Sequence, residues 1–80
     1  MTSQKPFIDL KLFAALKRFA VKIPDPCPIS PGITVGELLH TLGIPVDQVR
    51  LIFINGIKGD FSSVLNGNER LGIFPSVGGG

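Results

Sequence analysis

The sequence predicts an α+β domain, one sheet with a single helix packed on it. Three observations carry that prediction. Two stretches near the ends, FIDLKLFAAL and ERLGIFP, alternate apolar and polar residues with the period of a strand. Between them lies TVGELLHTLG, an amphipathic helix with a start and a stop signal of its own. An apolar run then meets Asn55-Gly56, the strongest short-range signal for a hairpin.

The first element, FIDLKLFAAL (7–16), puts Ile8, Leu10 and Leu12 on one face and Phe7, Asp9, Lys11 and Phe13 on the other. It reads as a strand with one face buried. IPDPCPISPG (23–32) holds Pro24, Pro26, Pro28 and Pro31. Each proline lacks a ladder donor, so the segment reads as a loop followed by a short edge strand. In the helix, Thr34 and Glu37 stand three apart as a capping box. Val35, Leu38, Leu39 and Leu42 form the apolar stripe, Gly43 suits a left-handed C-terminal position, and Pro45 prevents continuation. VRLIFINGIKG (49–59) is a strand running into the Asn55-Gly56 turn. SSVLNGNERLGIFP (62–75) carries a second turn at Asn66-Gly67-Asn68 and a last strand, where Leu71 and Ile73 oppose Arg70, Gly72 and Phe74. There is no internal repeat and no interdomain linker.

Composition bounds the function classes. Eighty residues make one small domain, burying about 60–65% of the surface its unfolded form exposes. At 44% hydrophobic and 18% charged residues, the chain is too core-rich for disorder. No apolar stretch approaches the roughly 20 residues that span a bilayer. The start shows no secretory pattern, and a single cysteine fits a reducing cytosol; a cytoplasmic protein without a membrane partner is expected. The net charge is only +2, with the basic residues scattered. Nucleic acid is therefore not an expected partner.

The sequence closes on IFPSVGGG. Glycine has no Cβ, so Gly78, Gly79 and Gly80 make a thin, extended end. Side chains there would block a narrow site and crowd attack at the terminal carbonyl. A terminal carboxyl with a pKa of roughly 3.3–3.7 is an anion at neutral pH and a poor electrophile. Using it as a carrier requires activation from outside. The run is not a phosphate loop, because no helix follows it.

Taken together, these stretches resemble the ubiquitin-like sulfur carriers with the β-grasp fold, a family including the small subunit of molybdopterin synthase and the thiamine-pathway carrier. KLFAALKRFA looks like the opening strand of the synthase subunit, and TVGELLHTLGIP like the family helix. VRLIFINGIK looks like its third strand and hairpin, and LNGNERLGIFPSVGGG like its ending. The resemblance covers nearly the whole chain, and its most specific part is Phe74-Pro75 with Gly79-Gly80. Two departures stand out. Asn66-Gly67-Asn68 replaces the usual Asp-Gly-Asp turn, and Ser76 follows Pro75 where a second proline is common. Neither removes a residue that would carry chemistry, and Phe74-Pro75 leans towards the molybdopterin branch.

The resemblance implies a β-grasp domain over 1–77 with a mixed sheet of four to five strands and one main helix on one face, and a glycine tail over 78–80. It also implies the chemistry. An E1-like enzyme would use ATP to adenylate the Gly80 carboxylate, with Gly79 beside it. A persulfide donor would displace AMP to leave a thiocarboxylate. An acceptor, such as the large subunit of molybdopterin synthase, would take the sulfur. The carrier would bind no cofactor and catalyse nothing itself. With Leu12, Leu71 and Ile73 inward, Phe13 and Phe74 would point outward from neighbouring strands. Exposed aromatic residues of this kind mark partner surfaces. Ile52 would join them by the same alternation, Pro75 and Gly78 would belong to the same partner-binding set, and Arg70 with Lys11 would steer an acidic partner.

Plainer readings stand beside these. His40 reads as a solvated residue on the polar side of the helix, since no second ligand stands at metal spacing. Cys27, without a basic neighbour, reads as a small apolar residue. Lys17, Arg18 and Lys22 read as solvated surface. Within the family, a carrier for thiamine synthesis or tRNA thiolation shares the same tail. Outside it stand a ubiquitin-like modifier joined to lysines through Gly80 and a β-grasp interaction module with an inert tail.

Overall fold

The structure, a computed structural model, describes residues 6–76. Seven strands are present: β1 (Phe7–Leu12), β2 (Cys27–Pro28), β3 (Ile33–Thr34), β4 (Val49–Ile54), β5 (Ile57–Lys58), β6 (Val64–Leu65) and β7 (Arg70–Pro75). The helix α1 spans Val35–Leu42, and two 3₁₀ segments cover Ala14–Lys22 and Val46–Gln48. The main sheet is mixed, in the order β2-β1-β7-β4-β5, and β3 pairs with β6 in a small second ladder. β1 and β7 run parallel at its centre, with Leu10 opposite Leu71 and Leu12 opposite Ile73. The remaining pairs are antiparallel. This is the ubiquitin-like β-grasp.

Alternation decides which face is covered. Ile8 and Leu12 from β1, Ile52 from β4, and Leu71 and Ile73 from β7 are buried against Val35, Leu38 and Leu39 of α1. Leu65, Ile29, Ile44 and Cys27 complete that core. The helix starts and stops where the sequence indicates. Thr34 Oγ1 accepts from the Glu37 N–H at 3.1 Å, and Glu37 Oε1 accepts from the Thr34 N–H at 2.9 Å. Gly43 closes the helix at φ 77°, with its N–H and that of Ile44 turned back to the carbonyls of His40 and Leu39.

One place departs from expectation. The first strand ends at Leu12 rather than running to 16. Phe13 is still extended and donates its N–H to the Ile73 carbonyl, but Ala14 takes φ 52° and the chain turns into the 3₁₀ segment. That segment sends Leu16 into the core, with Phe19 and Ile23 packed against it. The proline-rich stretch holds a loop and then the short edge strand that the sequence indicates, with Cys27 and Pro28 paired with Ile8 and Phe7. Proline is tolerated there since its missing donor faces no further strand.

Candidate functional site

The face of the sheet opposite α1 carries the candidate site. Register assembles it: Lys11 and Phe53 flank Gly72 on either side, and Phe74 lies opposite Leu51. Phe13, one step beyond Leu12, reaches Phe74, and their rings stack with centroids 4.2 Å apart and planes within 2°. Phe53 meets Phe74 edge-on at 5.7 Å and 84°. Such pairs contribute about 0.5–1.5 kcal/mol beyond the area they bury, so the three rings hold one another in place.

Gly72 forms the floor between them. A methyl group there would touch Phe13 at 3.5 Å and Phe74 at 3.6 Å. An open depression of about 480 Å³ lies on this face, walled by the rings and rimmed by Asp9, Lys11 and Arg70. Lys11 Nζ lies 3.7 Å from Asp9 Oδ1, and both side chains are exposed, which makes this a weak pair. Arg70 is fixed by its backbone rather than its side chain. Its N–H donates to Asn55 Oδ1 at 2.9 Å, and its carbonyl accepts from the Asn55 N–H at 2.8 Å. The hairpin turn at Asn55, φ 54°, thus anchors the start of β7 as well as joining β4 to β5.

β7 delivers the chain to one end of this face. Pro75 is half-buried opposite Val49, and the Ser76 N–H donates to the Gln48 carbonyl at 3.1 Å. Gly78, Gly79 and Gly80 lie outside the described residues.

Phe13, Phe74, Pro75 and Arg70 thus fall on or beside the open face, whereas Ile52 does not. It is 4% exposed and faces α1. The cause is a bulge between Val49 and Leu51, which leaves both Arg50 and Leu51 exposed and shifts the alternation by one. The outward residues of β4 are Leu51 and Phe53, neither of which the sequence reading selected. A strand apolar on both sides hides its own phase. The available signal was the antiparallel pairing with β7, which puts Ile52 abreast of Ile73 and therefore inward.

Cys27, Asp60 and His40 do not line the depression. Burial pushes the Cys27 thiol up. Hydrogen bonds from the Ser62 side chain and backbone, then from Ser63, hold Asp60 low in a surface turn. His40 is exposed on α1. Among the described residues no group of histidine, cysteine and carboxylate side chains could hold a metal ion, and no helix is long and apolar enough to cross a membrane.

A mixed sheet with parallel first and last strands, one covering helix and an aromatic open face defines a ubiquitin-like domain. Over residues 5–78 the sequence matches the Mut7-C ubiquitin family, and the chain belongs to that family. Two solved structures from Haloferax volcanii are similar. The solution structure of the HVO 2177 protein has TM-score 0.73 at 17% identity, covering 100% of this chain and 92% of that one. The crystal structure of SAMP1 has TM-score 0.64 at 23% identity, covering 91% and 98%. No curated protein matches the sequence. Family and fold fit a ubiquitin-like carrier or modifier.

Proposed function

We propose that the protein is a sulfur carrier that works through the Gly80 carboxylate, as the small, non-catalytic subunit of a molybdopterin synthase. The observation that supports this reading is the continuity of β7 with the glycine run. The strand that holds Phe74 in the aromatic face leads through Pro75 and Ser76 directly into Val77-Gly78-Gly79-Gly80. A partner docked on the rings would have the end of the chain within reach of its own active site.

The chemistry divides between the carrier and its partners. In an E1-like enzyme, a Gly80 carboxylate oxygen attacks the α-phosphorus of ATP and pyrophosphate leaves. The acyl adenylate is then attacked by a donor persulfide, which forms a C–S bond and expels AMP. A thiol attacks the donor cysteine's own sulfur in the resulting S–S bond, forming a disulfide with it and leaving the outer sulfur on Gly80 as a thiocarboxylate. Transfer of that sulfur to the acceptor on the large subunit, with water supplying the replacement oxygen, returns the carboxylate. The domain contributes an unhindered end and a docking face for each partner in turn, and it needs no bound cofactor.

The ubiquitin-like family favours a second reading, a modifier joined through Gly80 to lysine amines. The two differ in product. In an intact-mass measurement on the 80-residue chain with ATP, a sulfur donor and extract of the host cell, the carrier exchanges one oxygen for one sulfur. The exchange disappears when Gly79 and Gly80 are deleted. An isopeptide adduct on other proteins would establish the modifier instead. Sulfur exchange persisting in the deletion variant would refute the carrier reading.

A further inference from the structure

On the helix-bearing side, the 3₁₀ segment Ala14–Lys22 lies beside the C-terminal end of α1, and a groove of about 640 Å³ opens between them. It is lined by Arg18, Phe19, Val21, Lys22, Leu42 and Gly43. None of these residues lines the aromatic depression. Three features set the groove apart from ordinary solvated surface.

The first is charge. The segment carries Lys17, Arg18 and Lys22 and no acid, although the whole chain has a net charge of only +2. Among the described residues none of the three has a carboxylate within salt-bridge distance. The second is an apolar residue with no structural task. Leu16 makes the segment's contact with the core, whereas Val21 is 85% exposed, the most exposed large apolar side chain described. The third is support. Arg18 lies over the Phe19 ring at 5.0 Å, which spreads its guanidinium along the groove wall. At the end of α1 the His40 and Leu39 carbonyls accept from the N–H groups of Gly43 and Ile44 rather than from these cations.

We propose that this groove docks an acidic segment of a partner protein, with an apolar side chain of that segment seated against Val21, Phe19 and Leu42 and its carboxylates facing Arg18 and Lys22. Charge complementarity selects the sign of the partner. The groove between Phe19 and Leu42 offers a seat for a single apolar side chain, which a peptide can supply. The inference goes beyond the carrier reading and does not depend on it. It gives the domain a second face, so that one partner can be held while the aromatic face and the chain end remain free.

The test is a titration of the ¹⁵N-labelled full chain with synthetic octapeptides rich in Asp and Glu around one central Leu or Phe. Gln-substituted peptides and vesicles of equal parts phosphatidylcholine and phosphatidylserine serve as separate arms. Amide shifts are expected at Arg18, Val21, Lys22 and Gly43 with the acidic peptides alone. The double variant Val21→Ser/Lys22→Glu alters only exposed side chains, and it should weaken binding roughly tenfold. Phe74→Asp should leave binding unchanged. The proposal is overturned by an absence of shifts, by equal shifts with the Gln peptides or in the double variant, or by shifts centred on Phe53 and Gly72. Perturbation by the vesicles alone would also overturn it and make the groove a membrane surface.

Discussion

At Gly72 a methyl group would sit in ordinary van der Waals contact with two rings, Phe13 at 3.5 Å and Phe74 at 3.6 Å. Phe13 and Phe74 lean over it from neighbouring strands, and their parallel contact is a coupled feature that neither ring provides alone. Replacing each by Ala, singly and together, should therefore give a coupling energy of about 0.5–1.5 kcal/mol in urea unfolding. Additive losses would mean that the rings touch without holding each other. Ile52 gives the contrasting lesson. Its residue type suits either side of the sheet, and only a bulge two residues upstream turns it inward. Local alternation cannot see such a shift, so Phe53 stayed hidden in the sequence while Phe13 and Phe74 did not.

Among the elements, α1 was legible from end to end because its signals are local. Cap, stripe and stop all fall within ten residues, and each matches a bond or a burial in the structure. Thr34→Ala removes one half of the reciprocal cap while leaving the core untouched, and should cost about 1 kcal/mol in a denaturant titration. A loss near zero would show that the β3–β6 ladder holds the helix start without the cap. Strands β1 and β7 were legible for a similar reason, their period of two, and β4 by its apolar run into the Asn55-Gly56 turn. The 3₁₀ segment was not. It lacks a side-chain cap, and its first residues continue the apolar character of β1. Yet Leu16, Phe19, Ala20 and Ile23 stand at i, i+3, i+4 and i+7, a helical stripe that the strand reading passed over. The short ladder of β3 and β6 was invisible for another reason. Two-residue strands have no period, and their pairing depends on where distant segments meet.

For the whole molecule, the buried side chains described all lie between Ile8 and Ile73, so folding is a property of the body. Cys27 reports on that body. It is 1% exposed at the sheet edge, and a thiol reagent should label it at a rate set by opening of the native state. Fast labelling in native buffer would show that β2 detaches on its own. The same residue sets a pH trend. Burial favours the neutral thiol and raises its folded pKa, so below the ordinary thiol value of roughly 8.5 it is neutral in both states and contributes nothing. As pH rises past that value the unfolded chain loses the proton first, and stability falls. Cys27→Ala should flatten the alkaline limb of a stability–pH curve. An unchanged limb would assign the slope to other groups.

The parallel pairing of β1 with β7 has a mechanical consequence. Pulled from its two ends, the chain loads β1 from its first residue and β7 from its last, at opposite tips of the same ladder. The hydrogen bonds between them are then strained together in shear, rather than opened one after another like a zip. A machine that grips the glycine end and draws it through a narrow pore meets this resistance first. The same pairing makes the domain hard to unravel from its C-terminal end.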